Sequence, residues 1–395
     1  MNVPHLLTLN AGSSSLKIGL FSVDAGRARE IGRGELDLHR RPPALRVSAD
    51  GVRCDIAIDA PVDHDLHRAL EATLVALAAH FDLGEPLAAG HRIVHGGMQF
   101  HGPVPINDAN LAAIEALTPL APLHQTQGLS LIRMLRRLRP GLAQTASFDT
   151  AFHATQSDLV RRYALPRELH DQGIRRYGFH GLSYRYIAGE LVRREPALAT
   201  ERVVVAHLGS GASACAMHGG KSVECSMGFS TLDGLPMATR CGTLDAGIVL
   251  YLVDQRGMAV HDVEDLLYHR SGLLGVSGSS ADMRVLEAAT GDAAASEALE
   301  LFALRSAGEI ARLATTLGGI AALVFTAGIG EHDAAMRSAI CKRLAWLGVT
   351  LDDAANQRHA ERIEAASSRV AVLVIPTNEE QVIADDAMTL LEARS

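Results

Sequence analysis

The chain has 395 residues, of which 48% are apolar and 21% charged, a size and balance suited to about two or three globular domains with large cores. A net charge of −8 without a basic stripe speaks against nucleic acid as a main partner, and the short apolar runs speak against a membrane span. Five cysteines with no CxxC fit reduced thiols better than disulfides or zinc, and the N-terminus lacks the basic and apolar regions of a signal peptide, so a cytoplasmic location is expected.

Residues 6–21 read as strand, turn, strand. The turn, Asn10-Ala11-Gly12-Ser13-Ser14-Ser15, is of the small-residue kind that lets backbone N–H groups approach an anion. Lys17 follows it and is one of only three lysines. It is either a point charge for a phosphate or a solvated strand-end residue. Leu66, Ala69, Leu70, Leu74 and Leu77 recur at helical spacing and predict a helix over 63–81. The run GHRIVHGG, 90–97, predicts a short strand in which Arg92 is an edge-strand solubiliser or an anion ligand. Asn107-Asp108 caps a predicted helix through Leu117, ended by Pro119 and Pro122. Leu123-His124 then leads into a helix over 127–138, stopped by Pro140-Gly141. Asp149 follows a strand-like approach, where a metal-linked carboxylate often sits in α/β sheets; a turn or capping aspartate would read the same. His180 stands beside Gly181 at the start of a helix with Ile187, Leu191 and Val192 on its apolar face, a place for a cap, a core residue or a site residue.

The stretch RVVVAHLGSGASACA, 202–216, predicts a buried strand, Val203 to Ala206, and a Gly/Ser turn at Leu208-Gly209-Ser210-Gly211. Superposing Gly12 on Gly209 matches strand to strand and turn to turn, which suggests a duplicated domain holding one phosphorylated ligand. A third strand-to-glycine turn is predicted over 323–330. Between them lie Arg240 in a Gly/Thr-rich loop, a helix over 248–255, and a Ser/Gly loop, 271–284, that runs into a helix near Asp282 and Arg284. A long helix is predicted over 293–317, and another after Glu331-His332-Asp333 reaching Leu347. The chain ends in a strand, a turn with Asn378, Glu379 and Glu380, and a terminal helix. A hinge is placed near residue 150.

NAGSSSLK, HRIVHGG, FDTAFH, RRYGFHG, HLGSGAS, SMGF, SGLLGVSG, FTAGIGE and IPTNEE occur in the order found in acetate kinases. On these motifs the whole chain resembles the acetate/propionate kinase family, in the acetokinase branch of the actin-like phosphotransferases. The resemblance implies an α/β fold of duplicated actin-like (ASKHA, ribonuclease H-like) domains, βββαβαβα, around a central cleft. It implies an N-terminal domain, 1–150, with the C-terminal helix 381–395 packed back on it, and a nucleotide-binding domain, 151–380, usually in a homodimer. The activity implied is reversible transfer of the ATP γ-phosphoryl group to acetate or a similar short-chain carboxylate, with Mg²⁺, or Mn²⁺ in its place.

The residue types suit that chemistry. A carboxylate with pKa near ~4 is ionised at neutral pH and needs no general base. It needs relief from anion–anion repulsion and stabilisation of the transferring phosphoryl group. By resemblance, Arg92 and Arg240 hold the carboxylate and the phosphoryl group, a bidentate role suited to arginine, and His180 stabilises the equatorial oxygens. Asn10, Asp149 and Glu379 position the metal, directly or through water. Val94, Leu123 and Phe179 line the acyl pocket, with His124 assisting. Ser13, Ser15 and Lys17 lie along the phosphates. His207, Leu208, Gly209, Ser210 and Gly211 form the second phosphate loop. Asp282, Met283 and Arg284, with Gly328, Ile329, Gly330, Glu331 and His332, border the adenosine.

The chain departs from the family pattern at several places. Ser210 and His332 stand where asparagine is usual, and Tyr184 where a histidine is usual. Thr243 and Ala246 interrupt a GDxDP run, and Thr231 replaces a proline near the acyl pocket. Two other classes compete with an acyl kinase. A hydroxyl kinase would use Asp149 as a general base, but a neutral alcohol gives two arginines little to bind. An actin-like ATPase would have no need of the acyl-site arginines.

Overall fold

The computed structural model describes residues 4–12, 15–37, 44–49, 52–57, 66–81 and 83–393. The chain divides into two units, one formed by Met1–Ala151 with Asn378–Ser395 and the other by Phe152–Thr377.

The first unit is built on a sheet of eight strands: β1 (His5–Ala11), β2 (Ser15–Asp24), β3 (Arg27–Asp37), β4 (Ala44–Ala49), β5 (Val52–Ala57), β6 (Ala88–Ile93), β7 (Val104–Pro105) and β8 (Ala143–Phe148). Their order is β5-β4-β3-β2-β1-β6-β8-β7. The β1 to β5 run pairs antiparallel, whereas β1, β6 and β8 pair parallel. Alternation of side chains along β1 sends Leu7 and Leu9 to one face and Leu6 to the other. Leu7 and Leu9 join Leu70 and Leu77 of the helix Leu66–His80 and Leu131 and Leu135 of the helix Pro122–Leu138. Leu6 and Phe21 join Ala384, Ala387 and Met388 of the helix Glu379–Glu392. Burying each such leucine or phenylalanine contributes about 1.5–3 kcal/mol. Because β6 is an inner strand, Arg92 is no edge-strand solubiliser.

The second unit holds β9 (Arg202–Leu208), β10 (Ala212–His218), β11 (Lys221–Cys225), β12 (Ala322–Thr326) and β13 (Ala371–Val374), in the order β11-β10-β9-β12-β13. The antiparallel β9-β10-β11 meander and the parallel β9-β12-β13 set repeat β1-β2-β3 and β1-β6-β8. The two sheets are copies of one plan, the first extended by β4, β5 and β7. Val203, Val204, Val205 and Ala206 are all buried, and so are Leu323, Val324 and Phe325, as continuous apolar parallel strands require.

Local differences from the sequence reading have physical causes. The helix expected from residue 127 begins at Pro122, since proline suits the first helical turn. The 271–284 stretch holds a helix, Gly272–Ser277, in place of an open loop. No glycine turn follows β12: it runs directly into the helix Ala327–His332, with Ala327 at φ +64 making the bend. Val192, expected on a buried face, is 62% exposed. Glu379 and Glu380 are helical, with Asn378 as N-cap accepting from the Gln381 N–H. Among the described residues no helix is long and apolar enough to cross a membrane.

Candidate active site

In the first unit, parallel pairing brings the ends of β1, β6 and β8 together. Asn10 and Arg92 lie near the ends of β1 and β6, and Asp149 follows β8, its N–H donating to the Ile93 carbonyl at 3.1 Å. Arg92 donates from Nη2 to Asp149 Oδ2 at 2.6 Å and from Nε to Oδ1 at 3.0 Å. Its Nη1 donates to Asn10 Oδ1 at 3.2 Å and to the Ala11 carbonyl at 3.3 Å. Asn10 Nδ2 in turn donates to Glu379 Oε2 at 3.0 Å and Glu380 Oε1 at 3.1 Å. Burial works against the Arg92 charge, but Asp149, Glu379 and Glu380 outweigh it and push the guanidinium above its ordinary range. Glu380, which was not among the expected site residues, also joins this cluster.

Asn10, Asp149 and Glu379 offer only oxygen ligands, the kind a hard divalent cation takes. Among the described residues no group of three His, Cys, Asp or Glu side chains forms a metal site. Two carboxylates and one amide oxygen are donors of that kind, although Asn10 Oδ1 and both Asp149 oxygens here accept from Arg92.

Val94 is 4% exposed and buried after β6, whereas Leu123 is 40% exposed in the first turn of its helix. His124 is half-buried beside it, its N–H donating to the Ala121 carbonyl at 3.2 Å. Lys17 is exposed on β2, opposite Asn10. Ser13 and the side chain of Ser15 lie outside the described residues.

In the second unit, the β9–β10 turn is bare at Gly211. An ideal Cβ there would stand 3.0 Å from Arg240 Nη2 and 3.3 Å from His180 Nε2. The turn therefore brings a guanidinium and an imidazole to one backbone position. Arg240 is braced by Nη1 donating to the Thr231 carbonyl at 2.7 Å. Its loop is held from behind by the helix Gly272–Ser277: Leu273 N–H donates to the Met237 carbonyl at 2.9 Å and Leu274 N–H to the Ala238 carbonyl at 3.0 Å. Gly272 has φ +61, and a Cβ on it would meet the Met237 carbonyl oxygen at 2.1 Å. This glycine lies in the SGLLGVSG motif, but its reason is not local, because the clash involves a loop some thirty residues earlier.

His180 precedes the helix Gly181–Arg194 with a left-handed backbone at φ +56. Its ring stacks on His207 at 4.3 Å between centroids, and His207 Nδ1 lies 2.8 Å from Ser183 Oγ. Phe179 is 1% exposed, and its carbonyl lies 2.9 Å from His153 Nε2. Leu208 is fully buried. Gly209 lies against the turn's own Gly211 carbonyl and Ala327, at 3.3 and 3.6 Å from an ideal Cβ, while Ser210 is exposed.

The adenosine-bordering residues differ among themselves. Gly328 faces open space, whereas Gly330 packs against the Phe325 backbone at 3.3 Å from an ideal Cβ. Glu331 Oε1 accepts from the N–H groups of Ala327 at 2.8 Å and Thr377 at 3.2 Å, so this carboxylate caps the strand–helix junction. Ile329 is half-buried, and the His332 side chain is 76% exposed. Asp282 caps the helix Met283–Ala288 and pairs with the exposed Arg284 at 2.6 Å, while Met283 is buried in the core.

The fold and these residues define a phosphotransferase of the duplicated actin-like class. The family model described as the acetokinase family matches residues 5–385. An acetate kinase of Rhodopseudomonas palustris strain TIE-1 is 48% identical over 386 residues, covering 96% of each chain. An acetate kinase of Rickettsia prowazekii is 38% identical over 387 residues, covering 98% of this chain and 99% of that one. Among solved structures, a propionate kinase from Francisella tularensis matches with a TM-score of 0.88 at 36% identity, covering 97% of this chain and 98% of that one. The Porphyromonas gingivalis acetate kinase matches with a TM-score of 0.86 at 33% identity, covering 98% and 100%. The chain belongs to the acetokinase family, kinases whose phosphoryl acceptor is a carboxyl group.

Proposed function

We propose that the chain transfers the γ-phosphoryl group of ATP reversibly to acetate, with Mg²⁺ as cofactor. The observation that carries this reading is the convergence of Arg240 and His180 on Gly211. Cationic and N–H donors at a bare glycine turn suit the equatorial oxygens of a phosphoryl group. Arg92, clamped by Asp149, supplies the charge that a carboxylate acceptor needs. Asn10, Asp149 and Glu379 would hold Mg²⁺, which would supply neutralisation of phosphate charge. The second unit acts as the nucleotide-binding domain, through His207 to Gly211, Asp282 to Arg284 and Gly328 to His332, and the first as its actin-like partner, with Ser13, Ser15 and Lys17 along the phosphates. Val94, Leu123, His124 and Phe179 attend the acyl group.

Propionate is the second reading. It is favoured by Thr231 at the place of a ring-closed proline and by likeness to a propionate kinase. Purified protein with Mg²⁺ and ATP, tested on carboxylates from formate to butyrate with hydroxylamine trapping the acyl phosphate, decides between them. Absence of hydroxamate with every acid would refute the reading.

A homodimer is supported by the second unit's own surface. The helical turns Ala246–Leu250 and Tyr251–Gln255 bury none of their residues, and Leu250 is 70% and Val260 72% exposed. Light scattering at micromolar protein tests it; a monomer that Leu250→Lys leaves unchanged overturns it. A cytoplasmic location accords with five free cysteines.

A further inference from the structure

We propose that Tyr184 and Ser213 set the tautomer of His180, so that Nε2 carries the ring proton and presents it at the Gly211 turn. The proposal deepens the reading above and rests on His180 meeting the transferring phosphoryl group.

His180 Nδ1 lies 2.8 Å from Ser213 Oγ on β10. The Tyr184 hydroxyl, one turn further along the helix that follows His180, is hydrogen-bonded to the same Oγ. Ser213 and Tyr184 are both fully buried. A serine hydroxyl has one proton, so it cannot donate to both neighbours. A phenol, with pKa near ~10, is a stronger donor than an aliphatic alcohol, and an imidazole nitrogen is a stronger acceptor than a phenol oxygen. The order that uses both is Tyr184 O–H to Ser213 Oγ, then Ser213 O–H to His180 Nδ1. With Nδ1 accepting, the neutral ring carries its proton on Nε2.

Nε2 is the nitrogen 3.3 Å from the Cβ position of Gly211, beside Arg240. The stacked His207, itself tied to Ser183, holds the ring plane. Tyr184 is thus a positioning residue that acts through Ser213 on the phosphoryl-facing donor. A fixed N–H at that point needs no reorientation when charge develops on the phosphoryl oxygens.

The test is two-bond ¹H–¹⁵N spectroscopy of the full chain with labelled histidine, the His180 signals being assigned by their loss in His180→Gln. Wild type is expected to show unprotonated Nδ1 and protonated Nε2. Tyr184→Phe and Ser213→Ala should shift His180 toward the Nδ1–H form and lower kcat about 10- to 100-fold, the range typical for the outer partner of a functional histidine. KM for acetate and for ATP should stay within about two-fold, since binding contacts are untouched. Ser213→Thr, which keeps the hydroxyl, should restore tautomer and rate. A wild-type His180 protonated on Nδ1 overturns the proposal, and that measurement stands even if a variant fails to fold. So does a wild-type tautomer and kcat in both Tyr184→Phe and Ser213→Ala. A tautomer that shifts without change in kcat, or a fully active His180→Gln, leaves the relay in place and overturns the catalytic reading of His180.

Discussion

Arg92 and Asp149 form a forked ion pair, Nη2 to Oδ2 at 2.6 Å, in which the carboxylate is only 1% exposed. A buried charge that loses its partner costs about 3–5 kcal/mol, more than an exposed pair contributes. Arg92→Ala is therefore expected to lower stability by that order as well as activity, by leaving Asp149 without its guanidinium. Arg92→Lys keeps the charge but loses the fork, so it should fold near normally and still lose most acyl phosphate formation. Urea melts beside hydroxamate assays separate the two effects. A Lys variant with wild-type turnover would show that the fork is dispensable.

Asp149→Asn should raise the Mg²⁺ concentration needed for half-maximal rate, because a carboxylate acceptor leaves no proton for Asp149 to take. The check is a Mg²⁺ titration at saturating ATP. If the Mg²⁺ requirement stays fixed while the pH–rate profile loses an ionisation, Asp149 acts as a base.

Gly272→Ala places a methyl against the Met237 carbonyl, at 2.1 Å from an ideal Cβ, on a backbone with φ +61. The left-handed conformation alone costs a non-glycine residue about 1–2 kcal/mol, and the loop that carries Arg240 has to move. The expected result is a loss of kcat exceeding that from Gly278→Ala, where φ is +67 but no neighbour lies within 4 Å. Equal kcat in the two would uncouple Gly272 from Arg240.

Stability should fall on mild acidification. Desolvation pushes His91, His95 and His153 from the usual 6.5 down to about 4, so each stays neutral in the fold. The unfolded chain takes up these protons below pH ~6.5 and the folded chain does not. Stability from these groups is thus full above that pH and lost as pH falls toward 4, by about 2 kcal/mol per histidine between pH 7 and 5. Urea midpoints at pH 7, 6 and 5 check the direction. A midpoint rising toward pH 5 would contradict it.

His332→Asn should narrow the choice of phosphoryl donor. The exposed His332 ring offers one donor and one acceptor and can stack on any base, whereas asparagine offers a fixed amide pair. ATP is expected to be used well, with GTP close behind, and the ratio to widen in the variant. Exclusive ATP use in both proteins would make the substitution neutral.

Strands were legible wherever apolar residues ran together, as at Val203 to Ala206, since burial on both faces leaves few other solutions. Arg92, Asp149, His180 and Arg240 could be singled out because glycine turns and family motifs surround them. The support behind them was not legible. Gly272, Ser213 and Glu380 lie inside SGLLGVSG, HLGSGAS and IPTNEE, yet each acts across a sequence gap that only folding closes, so the motif does not tell what it supports. Glu331 lies inside a conspicuous motif, yet its carboxylate caps Ala327 and Thr377. A motif marks where function gathers without dividing ligand contacts from the residues that hold the backbone.

The first unit takes its last helix, Glu379–Glu392, from the far end of the chain, whereas the second unit is continuous from Phe152 to Thr377. During synthesis, the unit that emerges first is consequently the one finished last. Until Glu379–Glu392 leaves the ribosome, Leu6 and Phe21 lack Ala384, Ala387 and Met388, and Asn10 lacks both glutamates. The second unit can fold in the meantime. A nascent chain cut short before residue 378 would therefore carry an uncovered apolar sheet face, the kind of surface that chaperones and proteases recognise.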